Sequence, residues 1–395
     1  MRMPIVIAPE IQALAPELVA LRRDFHRHPE LGFQEERTSR LVAERLEALG
    51  FAVQRNVAKT GVVARLVHPA RKGPILAFRA DMDALPLTEA NTHDFVSLHP
   101  GAMHACGHDG HMAILLGFAR WLSQRKARFP GEIRLLFQPA EEGLGGAAPM
   151  IAEGALEGVG AIVGLHLWSG LKLGYAGVRP GPIMATCDEF VITVHGKGGH
   201  AARPQETADA VLAASQVVVA LQTIVSRAVD PLQPAVVTVG QIAGGSAHNI
   251  IADRVELRGT ARTFDRVLRR RLPELIRQRA EAAAAICGAT VELQWIEQYP
   301  PTINDARMAE LVRKAAETVL GKDRVGPGEP TMGAEDMAYY LEKIPGCFFF
   351  LGAGNPERGI DKPHHNPRFD LDEEALPYGV AIFAAVAERF FAEAG

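Results

Sequence analysis

The sequence predicts an α/β protein: a mostly parallel sheet with helices on both faces, interrupted by an inserted domain of β-α-β-β-α-β order. Three observations carry this. Apolar runs at 74–81, 132–139 and 161–168 have the length and continuity of strands buried on both faces. Helical patterns lie between and around them, notably at 35–50, closed by Gly50, and at 112–125. From about residue 184 the pattern switches to strands alternating with two long helices.

The insert reads as a strand at 188–196, a helix at 206–227, strands at 235–245 and 254–262, a helix at 264–287 and a strand at 290–297. That order is ferredoxin-like. Pro180-Gly181-Pro182 and Tyr299-Pro300-Pro301 are the expected hinges. The expected domains are therefore 1–183 with 298–395, carrying the chemistry, and 184–297, inserted. The helix and short-strand pattern resumes after residue 300 and ends in a helix at 372–394.

Composition narrows the function. With 48% hydrophobic and 22% charged residues and a net charge of −4, the chain offers no basic surface for nucleic acid or an anionic membrane. The run RVLRRR at 266–271 falls on a predicted helix and reads as a solvated face. Pro4, Pro9, Glu10 and Pro16 break the N-terminus, so no signal-peptide core is expected. No run of about 18 apolar residues lacks a charge or a breaker, so no membrane span is expected either. Four scattered cysteines, at 106, 187, 287 and 347, make no disulfide framework, and a reduced cytoplasmic setting is the default.

The chemistry gathers where parallel strands end, which is where such sheets bind ligands. Asp81 and Asp83 follow the first run, Glu141 and Glu142 the second, and His166 lies in the third. The stretch HACGHDGHM at 104–112 adds Cys106 and His108 on a turn at a helix entrance, and HH at 364–365 adds more imidazole. Taken singly, each has a structural explanation: a core histidine, an acidic helix entrance, a polar turn. Taken together, a thiolate, a carboxylate and several imidazoles suit zinc, manganese, cobalt or nickel. Cys106, His108, Glu142, His166 and a histidine of the 364–365 pair exceed one tetrahedral zinc, which points to two ions sharing a bridge. Such a pair brings together a nucleophile of lowered pKa and a carbonyl polariser. Glu141, directly before Glu142, is the candidate general base and acid. A thiol hydrolase built on Cys106 and His108 is the alternative, but it leaves the other chelators unexplained.

These motifs carry a family resemblance over nearly the whole chain. RRDFHRHPELGFQEERTS, AFRADMDALPLTE, HACGHDGHMAILLG, LLFQPAEEGLGGA, GLHLW, GKGGHAARPQETADAV, MGAEDMAYYLEKIPGCFFFLGAG and HHNPRFDLDEEAL occur in order. The chain resembles the peptidase M20 superfamily, and within it the hippurate hydrolase and N-acyl-amino-acid amidohydrolase group, which includes plant auxin-conjugate hydrolases. The resemblance implies two divalent metal ions held by Cys106, His108, Glu142, His166 and His365, with Glu141 as catalytic acid/base. His365 matches rather than His364 because it directly precedes Asn366-Pro367.

The resemblance also implies that the insert is a lid and dimerisation domain. There His200 stabilises the oxyanion and meets substrate, in related enzymes often from the partner subunit, while Asn249 and Arg262 hold the substrate carboxylate. Arginine suits that role because its planar fork donates two parallel hydrogen bonds. Asp81 and Asp83 read as groups orienting the site. His248 stands where the group commonly has Tyr, and Met337 where it has Phe, so the pocket's preferences are its own. The implied reaction is hydrolysis of an N-acyl amino acid to a carboxylic acid and a free amino acid, in a homodimer or dimer-based tetramer assembled through the insert. A dipeptidase or carboxypeptidase, an N-acetyl-diaminopimelate-type deacetylase and a non-catalytic scaffold are the alternatives.

Overall fold

A computed structural model describes residue 5 and residues 7–125 and 127–394. Contacts divide it into two units: the chain up to Ile183 with Ile303–Glu329 and everything from Asp336 onward, and Met184–Thr302 with Pro330–Glu335.

In the first unit the three apolar runs form the strands Ile75–Asp81, Glu132–Gln138 and Ala161–Lys172. With Gly346–Gly354 they make four neighbouring parallel strands, Ile75–Asp81 lying between Glu132–Gln138 and Ala161–Lys172. Antiparallel strands Gly61–Val67 and Ala52–Val57 extend one side, and the short strands Ala176–Gly177 and Val325–Gly326 the other.

Successive strand residues face opposite sides of a sheet, and here the two sides differ. Leu76, Phe78 and Ala80, Ile133, Leu135 and Phe137, Val163, Leu165 and Leu167 join one apolar core with the helices Ala15–Arg27, Glu36–Ala48, His108–Ser123, Ala306–Leu320 and Ala375–Ala394. The intervening residues include Arg79, Asp81, Gln138 and His166, all buried on the opposite face. The short helix Met337–Lys343 covers part of that face: the Met337 Cε lies 3.5 Å from where a Cβ on Gly164 would stand.

The helix after HACG starts at His108, four residues before the expected 112. Gly107, at φ +92°, turns the chain sharply from Cys106 into the helix, a conformation that glycine adopts without strain.

The second unit has the order β-α-β-β-α-β, with an antiparallel sheet arranged Ala235–Gly244, Arg254–Thr263, Asp188–His195, Thr290–Glu297. Phe190, Ile192, Val194, Val255 and Leu257 pack on the helices Ala210–Thr223 and Arg266–Ala285, while alternate sheet residues stay partly exposed. Asp209 and Asp265 cap those helices with their carboxylates. The expected single helix at 206–227 is instead a 3₁₀ turn at Pro204–Glu206, the α-helix, and a π-helical end at Ile224–Ala228. Within RVLRRR, Arg269 departs from the expected solvated face and forms a bidentate pair with the buried Asp188 at 2.6 and 2.8 Å.

Two helices, Ala210–Ala228 and Ala375–Glu393, are long and apolar enough to cross a membrane by length and composition, with mean hydropathies of 1.5 and 1.4. Each also carries a charge or a breaker: Arg227 in the first, and Pro377, Gly379, Glu388 and Arg389 in the second. The second is a core helix, with 67% of its window buried inside the fold.

Candidate metal centre

The turn into the helix His108–Ser123, the turn after the strand Glu132–Gln138, the strand Ala161–Lys172 and the turn at His365 bring the five candidate ligands of the first unit together. Cys106, His108 and His166 form one group of donor atoms, and Cys106, Glu142 and His365 another, each within 4.8 Å. Cys106 belongs to both. The Cys106 Sγ lies 3.4 Å from His166 Nε2, and Glu142 Oε1 lies 3.4 Å from His365 Nε2 and 3.9 Å from His108 Nε2. Glu141 is buried and joins His108 and Glu142 in a further group.

Backbone partners fix the imidazoles. A carbonyl oxygen only accepts, so the 2.9 Å contact of His108 Nδ1 with Asp83 O and the 2.8 Å contact of His166 Nδ1 with Leu167 O place a proton on each Nδ1. In the neutral ring, the form that binds a cation, each Nε2 therefore presents a lone pair to the cluster. His111 is held differently: the Leu167 N–H donates to its Nε2 at 2.9 Å, and its Nδ1 donates to Asp81 at 2.7 Å. With both nitrogens committed, His111 orients Asp81 and does not serve as a ligand.

Asp83 organises the two glutamates. Its Oδ1 accepts the Glu141 N–H at 3.0 Å and its Oδ2 the Glu142 N–H at 2.9 Å. Ala140, just before them, is at φ +53°, and its N–H donates to the buried Glu35 at 2.9 Å. His365 is at φ +64°, with its N–H on Ala105 O at 2.8 Å. Such backbone costs energy in a non-glycine residue and gathers at functional sites.

Electrostatics agree with a cation site. Burial, then Glu142, Glu141 and Asp81, push the Cys106 thiol well above its ordinary pKa when no cation is bound. Burial opposes a proton on His108, but Asp81, Asp83 and Glu142 outweigh it and raise its pKa to about 10. Burial, His111 and His364 push His166 well below its usual value. The decisive fit is in unsatisfied atoms: His108 Nε2 and Glu142 Oε1 are buried with no hydrogen-bond partner. Buried polar atoms normally have one.

His364, the other half of the pair, is half-buried beside Trp168 and His166, with ring centroids 4.6 and 5.0 Å away. Burial first, then His111 and His365, lower its pKa to about 3. In the second unit, His200 and Asn249 are exposed and Arg262 is half-buried. The Ala202 N–H donates to His200 Nδ1 at 3.1 Å, which leaves the ring proton on Nε2. Arg262 Nη1 donates to Met332 O at 3.0 Å, and Arg262 makes no ion pair among the described residues. His248 is exposed, whereas Met337 is buried in the first unit.

Sequence reasoning gave Asp83 an orienting role but not its grip on the two glutamate amides, which lie 58 and 59 residues away. It also missed His111, although its spacing of three from His108 puts both rings on one helix face, 5.4 Å apart.

Residues 77–389 match the profile of peptidase family M20/M25/M40. A thermostable carboxypeptidase of Saccharolobus solfataricus is 40% identical over 96% of this chain and 97% of its own. An IAA-amino acid hydrolase of Arabidopsis thaliana is 42% identical over 95% of this chain and 86% of its own. Among solved structures, a Bacillus subtilis dinuclear metal binding peptidase from the M20 family superposes with a TM-score of 0.85 at 37% identity, covering 96% of this chain and 99% of that one.

Proposed function

This chain belongs to peptidase family M20/M25/M40 and is a metal-dependent hydrolase of amides; from that premise we propose that it cleaves N-acyl amino acids to a carboxylic acid and a free amino acid. The observation that carries the reading is the buried, unsatisfied pair His108 Nε2 and Glu142 Oε1 beside Cys106, His166 and His365. These five would hold two divalent ions, of zinc, manganese, cobalt or nickel. When bound, the ions supply a water of lowered pKa and polarise the acyl carbonyl.

The chain's own groups do the rest. A Glu141 carboxylate oxygen takes a proton from the attacking water and returns it to the leaving nitrogen. The Asp83 carboxylate, holding both glutamate amides, keeps Glu141 turned to the reacting bond and Glu142 to the cations. His200 donates its Nε2–H to the oxyanion, and Arg262 with Asn249 receives the substrate's α-carboxylate. In this reading the second unit is a ferredoxin-like lid that closes over bound substrate. Its edge strand Ala235–Gly244 and the exposed Val211, Leu212, Val219 and Ile242 support a homodimer through this unit. We place the enzyme in the cytoplasm, with scattered unpaired cysteines as support.

Chelation is the first test. The purified chain is expected to carry up to two ions in this cluster and to lose its activity to a chelator. A fully active metal-free protein would instead favour a thiol hydrolase. A panel of N-acetyl, N-benzoyl and indole-acetyl amino acids beside dipeptides separates the proposed activity from the carboxypeptidase reading, which the Saccharolobus relative favours.

The substrate carboxylate gives a second test. Hydrogen bonds to charged groups contribute about 1.5–3 kcal/mol, so methylating it is expected to lower kcat/KM at least about tenfold. Arg262→Ala is expected to erase the difference between acid and ester. An unchanged preference in the variant would mean that Arg262 only braces the backbone at Met332.

A further inference from the structure

A second histidine–carboxylate cluster stands apart from the five ligands. Between the strand Ile75–Asp81 and the helix His108–Ser123 runs a long segment with only isolated bridges. Unstructured connections longer than about 12–15 residues are uncommon and usually functional. This one carries Glu89 and His93, and His26 of the helix Ala15–Arg27 faces them. Glu89 Oε1 lies 3.2 Å from His26 Nε2 and 3.3 Å from His93 Nε2. With bonds of about 2.0–2.2 Å, ligand atoms of a tetrahedral zinc stand roughly 3.3–3.6 Å apart. The two contacts lie close to that separation.

The surroundings hold these atoms in place. His26 Nδ1 donates to Asp109 at 2.7 Å, so its Nε2 is the atom aimed at Glu89, the carboxylate–histidine arrangement that orients metal ligands. Glu89 is fixed by the Ser97 N–H at 2.7 Å and Asn91 Nδ2 at 3.0 Å. The His93 ring stacks on Phe95 at 3.6 Å, and neither of its buried ring nitrogens has a hydrogen-bond partner. Charge points the same way. Glu89, Asp109, Asp370 and Glu373 gather around Arg22 and Arg23, leaving two negative charges uncompensated when the histidines are neutral.

We infer that His26 Nε2, Glu89 Oε1 and His93 Nε2 form a third divalent-cation site of zinc-like preference, clamping the segment that delivers Cys106 onto the helix Ala15–Arg27. Two imidazoles and a carboxylate are a zinc-type set, and a divalent ion would cancel the surplus charge. The competing arrangement is ion-free: a doubly protonated His26 bridging Asp109 and Glu89. It leaves both nitrogens of His93 without a role.

The test is zinc stoichiometry and cadmium-113 NMR on the full chain. After exposure to excess zinc and desalting, wild type is expected to retain one more equivalent than His93→Gln, whatever number the first cluster holds. In cadmium-loaded wild type, one resonance is expected in the nitrogen–oxygen range, upfield of thiolate-bound cadmium. Both His93→Gln and Glu89→Gln should lose it, and Cys106→Ser should keep it. His93→Gln is expected to retain amide hydrolysis, which checks that it folds, and Glu89→Gln serves if it does not. Equal zinc content in wild type and variant, with no such resonance lost, would establish the ion-free bridge and overturn the site. Because the readout is a difference between chains, it is independent of whether the first cluster is dinuclear.

Discussion

Glu141→Gln is expected to lower kcat by about 10²–10⁴-fold, the usual worth of a positioned general acid/base, while the purified protein keeps its metal. Glu142→Gln is expected to do the opposite in kind, losing metal first and activity as a consequence. The two side chains are adjacent in sequence, and Asp83 grips both of their amides at 3.0 and 2.9 Å. Their carboxylates differ in surroundings. Glu142 Oε1 is buried without a hydrogen-bond partner, 3.4 Å from His365 Nε2, as a ligand awaiting a cation would be. Glutamine is nearly isosteric with glutamate but cannot take the proton, so turnover fails at position 141 and coordination weakens at 142. Elemental analysis with single-turnover kinetics on both variants checks this. Metal loss in Glu141→Gln with retention in Glu142→Gln would exchange the two roles.

The sequence was most legible where one short stretch carried its own signal. The runs at 74–81 and 132–139 could hardly be anything but buried strands, and chelating residues at their ends fall where parallel sheets bind ligands. What stayed hidden depended on distant partners. Arg79 sits inside an apolar run. Its partners include Asp336, 257 residues on, and no local pattern announces such a pair. The early start at His108 is a tertiary effect as well: the helix is buried on almost every side, so packing overrode the weak local preference of Gly-His-Asp-Gly. The cluster of His26, Glu89 and His93 could not be read for the same reason, since a helix and a loop 63 residues apart supply its members.

Arg79→Met is expected to destabilise the first unit by about 3–5 kcal/mol, the cost of removing one partner from a buried ion pair. Arg79 is 1% exposed. It donates to Asp81 at 2.6 Å, to Asp336 at 2.9 Å and to Gln138 at 2.9 Å. Methionine fills much of the same volume but leaves two buried carboxylates without that cation. Although burial favours the protonated acid, His108, Arg79 and His111 hold Asp81 well below the usual carboxylate range, and losing Arg79 moves it back up. Asp81 also anchors His111 at 2.7 Å and stands 3.8 Å from His108 Nε2. Metal affinity should therefore fall with stability, because the charge of Asp81 beside His108 Nε2 is weakened. A Trp295→Phe background leaves Trp121 and Trp168, both in the first unit, to report its unfolding in urea under chelation. Adding Asp81→Asn and Asp336→Asn to Arg79→Met removes the stranded charges and should restore much of the stability, because coupled residues do not add. It should not restore metal affinity, since the Asp81 carboxylate beside His108 Nε2 is gone. A loss below about 1 kcal/mol in Arg79→Met, within the range of an exposed pair, would show that the buried arginine does not neutralise these acids.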